Sequence, residues 1–268
     1  MTAHTEPRFD LDAAPLSVSH VRLTVRDLDL TKTFYAKLLG LRVHSETETS
    51  ASLGADSAFL TLQADPSADP SNPAAPGLFH TALLLPDRSD LATWLAYASD
   101  HGLRPWGASD HNVSEAIYLN DPEGNGIEVY ADRPVGRWIN ARGDLYMPSH
   151  RLDISALPAP KTWTSAPDGT RIGHVHLQTT DIAEAEAFWT GLGMEVTARY
   201  PGGSFFGSGG YHHQIAANTW RSRNTRPLAR PVLGLSEVTL TADASVTTVP
   251  VTHTAPSGVS VKLSPKRT

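Results

Sequence analysis

Residues 110–134, DHNVSEAIYLNDPEGNGIEVYADRP, read as two strands joined by a tight turn. The first strand covers 115–120, the turn 121–126 and the second strand 127–131. Pro122 presets φ, Asp121 and Asn125 offer side-chain caps to nearby backbone groups, and Gly124 and Gly126 accept positive φ. In the second strand Ile127, Val129 and Ala131 alternate with Glu128, Tyr130 and Asp132. One face is therefore apolar, and the other points a carboxylate and a phenol the same way. A carboxylate on the inward face of a curved sheet needs a partner, because burying it unpaired is costly. Histidines are the partners to look for, and the chain has 12.

The same pattern extends outward in both directions. Residues 18–25, VSHVRLTV, alternate as a strand with His20 on one face. Asp27 is placed to cap a helix over 30–39, and Gly40 ends it. Short strands follow over 42–46, 49–53 and 58–63, and the Pro/Ala/Ser/Asp-rich segment 64–76 reads as a linker. The plan then restarts with a strand over 78–85 (LFHTALLL) carrying His80, and with a helix over 90–101 closed by Gly102. The hairpin of 110–134 completes this second unit. A third unit opens at Arg171 with RIGHVHLQTTD: setting His174 on His20 brings Asp181 onto Asp27 and Phe188-Trp189 onto Phe34-Tyr35. That is an internal repeat with a period of 154 residues (174 − 20). A fourth unit runs from Gly234 to about Lys262 and has no room for a full helix. In it Glu237 falls at the place of His80, and Lys262 at the place of Glu128.

The expected organisation is an arm over 1–15, an N-terminal domain over 16–132 built from units one and two, a connector over 133–169, and a C-terminal domain over 170–268. A lysine opposite the carboxylate position would repel a divalent cation, so the C-terminal domain is expected to hold no metal.

Composition narrows the function classes. The chain has 268 residues, 40% hydrophobic and 19% charged, an ordinary globular balance. A net charge of −6 and a pI near 6.0, without a Lys/Arg run, argue against nucleic-acid binding. No stretch approaches the ~18 apolar residues of a membrane span, and the first 15 residues lack a basic start followed by an apolar run. With no Cys, thiolate chemistry and disulfides are excluded. A cytoplasmic protein is the expectation.

His20, His80 and Glu128 occupy matched places in the first two units. Two imidazoles and one carboxylate form a facial triad that leaves three cis positions free, a set suited to non-haem Fe(II); the same ligands admit Mn(II), Zn or Ni. Here the chain resembles the vicinal oxygen chelate superfamily, and within it the two-domain extradiol ring-cleavage dioxygenases of the catechol 2,3-dioxygenase type. The carrying stretches are 19–28 (SHVRLTVRDL), 78–86 (LFHTALLLP), 109–134, 172–181 (IGHVHLQTTD) and 209–220 (GGYHHQIAANTW). The Asp-Pro-x-Gly-Asn-x-x-Glu ending is common to the superfamily and points to the fold alone. A Tyr ten residues before the Glu (128 − 10 = 118) is more specific to extradiol cleavage.

The resemblance implies an α+β fold of tandem βαβββ units paired into two incomplete barrels, and O₂-dependent cleavage of a catechol or substituted catechol. It implies Fe(II), with Mn(II) as the other candidate, held by His20, His80 and Glu128. His111 would be the acid–base residue and Tyr118 a hydrogen-bond donor to a substrate oxygen. The partner is then a small aromatic diol, and such enzymes usually form homo-oligomers. Familiar two-domain members keep the metal in the C-terminal domain, whereas Glu237 and Lys262 place it in the N-terminal one here. His212 and His213 resemble a pair that extradiol enzymes set near the O₂ site, but the expected division puts them in the other domain. His174 and His176 read as structural, and Trp138, Trp163 and Trp220 as interdomain packing. Rival readings are a glyoxalase-like isomerase or thiol transferase on the same fold, and a metal-free binding protein. A glyoxalase would want a second carboxylate from the last strand of unit one, and AFLTLQ (58–63) offers none.

Overall fold

Each alternating stretch forms a strand, and each Asp-led stretch caps a helix, in a computed structural model that describes residues 8–228 and 231–266. Residues 1–7 of the expected arm and the last two residues of the expected C-terminal domain lie outside the described residues. Unit one is β1 (Leu16–Val25), α1 (Leu28–Leu38), β2 (Arg42–Glu46), β3 (Ser50–Gly54) and β4 (Ala58–Ala64). Unit two is β5 (Gly77–Leu85), α2 (Arg88–Asp100), β6 (Gly107–Asp110), β7 (Ser114–Asn120) and β8 (Gly126–Asp132). The connector adds β9 (His150–Arg151). Unit three is β10 (Arg171–Gln178), α3 (Ile182–Gly191), β11 (Glu195–Tyr200), β12 (Gly203–Gly207) and β13 (Ile215–Asn218). Unit four contributes β14 (Gly234–Ala242), β15 (Val251–Thr254) and β16 (Ser260–Pro265), and no helix among its described residues. Asp27, Asp87 and Asp181 cap the three helices by accepting from first-turn backbone N–H groups.

The strands form two sheets, in the orders β15-β16-β14-β1-β4-β3-β2 and β11-β12-β13-β10-β5-β8-β7-β6-β9. Units one and four share the first, and units two and three share the second. This corrects the expected division at residue 132: β1 pairs antiparallel with β14, and β5 with β10. The opening strand of every unit carries the same alternation, so any of them could pair with any other. The periodicity that defines a unit carries no information about its partner.

Each of these central pairings contains two irregularities, and they fall at equivalent places. Gly173 and Phe79 are skipped in the register just before His174 and His80, as Ser19 and Ser236 are just before His20 and Glu237. Such bulges re-aim the next side chain. Gly173 has a second duty, since a Cβ there would sit 1.8 Å from Tyr130 Oη. A single apolar cluster runs through both sheets, with Leu23, Leu62 and Leu240 from one, Ile127, Val129 and Val175 from the other, and Trp94 and Trp189 from the helices. Burying each such Val or Leu side chain contributes about 1.5–3 kcal/mol. Phe9, from the described part of the arm, lies 5.8 Å from the Trp138 ring and 5.1 Å from Tyr211.

Candidate metal centre

β5 lies between β10 and β8, and this adjacency brings together His174, His80 and Glu128. His80 Nε2 is 3.0 Å and His174 Nε2 3.3 Å from the same oxygen, Glu128 Oε2. All three side chains are buried, and their ligand atoms lie within 4.8 Å of one another. Neither ring nitrogen of His80, nor Nδ1 of His174, has a hydrogen-bond partner. The contact of His80 with Glu128 is thus close but not directed as a hydrogen bond. A divalent cation held between the two Nε2 atoms and the carboxylate would satisfy His80 Nε2; an N₂O donor set fits iron or manganese.

Burial pushes the His174 imidazole down, towards the neutral form that a ligand must have. Burial works against the charge of Glu128, but the imidazoles of His174 and His80 outweigh it and hold the carboxyl well below its usual range.

The registers explain why the triad forms in one place among the described residues. Glu128 lies opposite Ala82, two residues after His80; the equivalent partners are Ala216 opposite His176, Thr61 opposite Arg22, and Lys262 opposite Thr239. Of these four matched positions, Glu128 alone bears a carboxylate. In the other sheet the corresponding side chains are His20, Thr61, Glu237 and Lys262, and His20 Nε2 is hydrogen-bonded to Thr61 Oγ1 at 2.8 Å. His20 therefore does not join His80 and Glu128 as expected; the group of candidate ligands that the structure assembles with them contains His174 in its place. Lys262 does occupy the counterpart of the Glu128 position, but the degenerate place belongs to units one and four.

The triad forms the floor of a cavity of about 530 Å³ whose walls include Phe79, Trp106, Phe205 and Trp220. Trp106 is 59% and Trp220 51% exposed, so Trp220 borders the cavity mouth instead of packing between domains. Their indole N–H groups are spent on Asn120 Oδ1 and the Pro201 carbonyl, each at 3.0 Å, which leaves carbon faces for a ligand.

His111 and Tyr118 both reach this cavity. Tyr118 stands directly across from Glu128 in the β7–β8 ladder. His111 follows the end of β6, and Arg133 fastens that strand end through Asp110 at 2.7 and 2.8 Å. His111 Nδ1 lies 2.9 Å from the Pro148 carbonyl, which can only accept, so the proton is on Nδ1. Nε2, 2.8 Å from Tyr118 Oη, then accepts a hydrogen bond from the phenol. Burial, reinforced by the charge of Glu128, pushes the Tyr118 phenol well above its ordinary value. It keeps its proton and remains a donor.

Two further imidazoles are also here: His176, expected to be structural, and His213, expected to lie in the other domain. His213 lines the cavity with its ring 4.2 Å from that of His174, and His176 lies 4.9 Å from the His80 ring and accepts from Asn218 Nδ2 at 3.0 Å. Burial pushes both imidazoles well down. The alignment of Gly173-His174 with Ser19-His20 was the signal for the third member of the triad, and the HH pair at 212–213 the signal for the further imidazole. Both were obscured by the assumed pairing of units.

The sequence matches the Glyoxalase/Bleomycin resistance protein/Dioxygenase superfamily over residues 17–129 and 171–238. It is 41% identical over 234 residues to a catechol-2,3-dioxygenase of Bacillus subtilis (strain 168), across 83% of this chain and 81% of that protein. A biphenyl-2,3-diol 1,2-dioxygenase of Rhodococcus globerulus is 29% identical over 119 residues, 43% of this chain and 63% of that one. Among solved structures, glyoxalase I of Zea mays superposes with a TM-score of 0.56 at 14% identity, covering 92% of each chain, a likeness of fold.

Proposed function

The chain belongs to the glyoxalase/bleomycin resistance protein/dioxygenase superfamily, and from that premise we propose that it is an extradiol dioxygenase that opens the ring of a catechol with O₂, using Fe(II) held by His80, Glu128 and His174. The observation that carries this reading is a three-ligand face, open to an aromatic-walled cavity, with acid–base groups at its edge. Ala216 at the fourth matched position supports it over a glyoxalase-like reaction, since no second carboxylate closes the site. A metal-free binding protein would have no use for two buried imidazoles crowded on one carboxylate, with three of their four ring nitrogens left without hydrogen bonds.

A divalent iron at the triad would supply neighbouring open positions for the diol and O₂, lowering the proton affinity of the bound hydroxyls. The remaining work falls to the chain. Phe79, Trp106 and Trp220 hold the ring of the diol and exclude water from around it. Tyr118 has one O–H, which His111 Nε2 accepts at 2.8 Å; when the diol enters, the phenol turns to donate to a diol oxygen, and this frees Nε2 of His111 to exchange a proton. His213, on the His174 side of the cavity, offers a second basic nitrogen. Two imidazoles on different sides of the substrate suit a reaction in which one oxygen gives up a proton and another later receives one.

The test is anaerobic reconstitution with Fe(II), followed by catechol and then air. The expected result is one O₂ consumed for each yellow ring-opened hydroxy-semialdehyde formed, with Mn(II) giving less turnover. Iron-independent turnover, or O₂ uptake without the ring-opened product, would overturn the reading.

A further inference from the structure

Behind the His213 wall of the cavity lies a hydrogen-bonded line that the reaction as described does not use. Asp132 Oδ1 is 2.9 Å from His212 Nε2, and His212 Nδ1 is 2.8 Å from His213 Nδ1. The other oxygen of Asp132 accepts from Tyr211 Oη at 2.9 Å, and Tyr211 Oη is in turn 2.8 Å from Tyr130 Oη. Glu128, Tyr130 and Asp132 are alternate residues of β8, so the strand face that supplies the metal ligand also supplies the far end of this line.

Hydrogen-bond direction follows from the chemistry of the end group. A carboxylate only accepts, so His212 Nε2 carries its proton and donates to Asp132. The Nδ1 of a singly protonated His212 is then a lone pair, and the hydrogen bond between the two Nδ1 atoms needs His213 to donate. That fixes the His213 tautomer, and the opposite edge of its ring turns a bare Nε2 to the cavity. The rings have little freedom to rearrange. His212 is 1% exposed and lies between Tyr211, at 4.0 Å, and Trp138, at 4.8 Å. Its backbone carbonyl accepts from Thr197 Oγ1 at 2.6 Å. His213 is held between the rings of His174, at 4.2 Å, and Phe205, at 5.0 Å.

We propose that Asp132 and His212 are positioning residues for His213: they hold it in the Nδ1–H tautomer, so that Nε2 faces the diol as a hydrogen-bond acceptor. The proposal rests on the dioxygenase reading of the cavity. It assigns a purpose to a satisfied polar line made of two buried imidazoles and a half-buried carboxylate. When His213 Nε2 takes a hydroxyl proton from the diol, the bond to His212 persists and the carboxylate of Asp132 faces the added charge through the intervening ring. The proton then leaves His213 for an oxygen of the opened product. The arrangement follows the general logic in which a buried carboxylate orients the imidazole that acts on substrate.

Asp132→Asn separates this role from simple packing. An amide either donates to or accepts from His212, so the tautomer is no longer dictated. The expected result is a fall in kcat by about 10²-fold, the lower end of the range for a misplaced acid–base group. KM for catechol should stay within about twofold, iron content and Tm should be retained, and Asp132→Glu should restore part of kcat. Side-chain ¹⁵N NMR of the Zn(II)-loaded wild-type protein reads the same arrangement without turnover: Nδ1 of His213 should be protonated and Nε2 not. If the wild type cleaves catechol and Asp132→Asn cleaves it as fast, or if His213 carries its proton on Nε2, the positioning role is wrong while the dioxygenase reading stands. If the wild type cleaves no catechol, that reading fails first.

Discussion

Tyr118 is the residue whose chemistry the site defines most fully. It faces Glu128 across the β7–β8 ladder and donates to His111, which is fixed by the Pro148 carbonyl. Tyr118→Phe removes a donor and nothing that binds metal. The expected outcome is a drop in kcat/KM of about 10²-fold with unchanged iron content, measured by ring-fission absorbance alongside metal analysis. A variant that lost its iron would instead make Tyr118 a structural support of the triad. Alternation and the turn at 121–126 placed His80 and Glu128 on their strands, and the family resemblance pointed to His111 and Tyr118; the structure brings all four to one cavity. His174 and His213 were not legible as members of it. Each depends on which strand lies beside β5, and that is decided by complementarity between sheet edges, not by the alternation within a strand.

At the scale of elements, β8 and β10 are matched to each other through a glycine. Tyr130 reaches from β8 beneath β10, where Gly173 is the skipped residue of the bulge. A methyl group at 173 would meet Tyr130 Oη at 1.8 Å and Leu84 Cβ at 3.0 Å. Gly173→Ala should therefore cost about 1–3 kcal/mol by overpacking and, by displacing the next residue, weaken metal binding at His174. Tyr130→Phe in the same chain removes the nearest clashing atom and should recover part of the loss. Urea denaturation of the single and double variants measures this coupling; strictly additive effects would mean that the two strands do not meet as described. The helices needed no such tertiary information. Asp27, Asp87 and Asp181 start them as local capping chemistry dictates, although Asp87 starts α2 two residues before the position expected from the apolar pattern.

For the whole molecule, four similar units make two different half-barrels. The repeat identified which residues are equivalent, down to Lys262 standing where Glu128 does. It did not identify which units meet. Pairing two with three unites His80, Glu128 and His174 into a centre, whereas pairing one with four leaves His20 bonded to Thr61 beside a lysine position. The same misassignment that made His174 look structural made His20 look like a ligand. The measurement that tests this most directly is iron content and catechol ring-fission activity in His174→Ala and His20→Ala, reconstituted side by side. Losing a ligand should weaken iron binding beyond the roughly 10–100-fold seen for outer-sphere changes, so His174→Ala should lose iron and turnover together. His20→Ala should keep both. Iron and activity retained in His174→Ala, or lost in His20→Ala, would contradict the account.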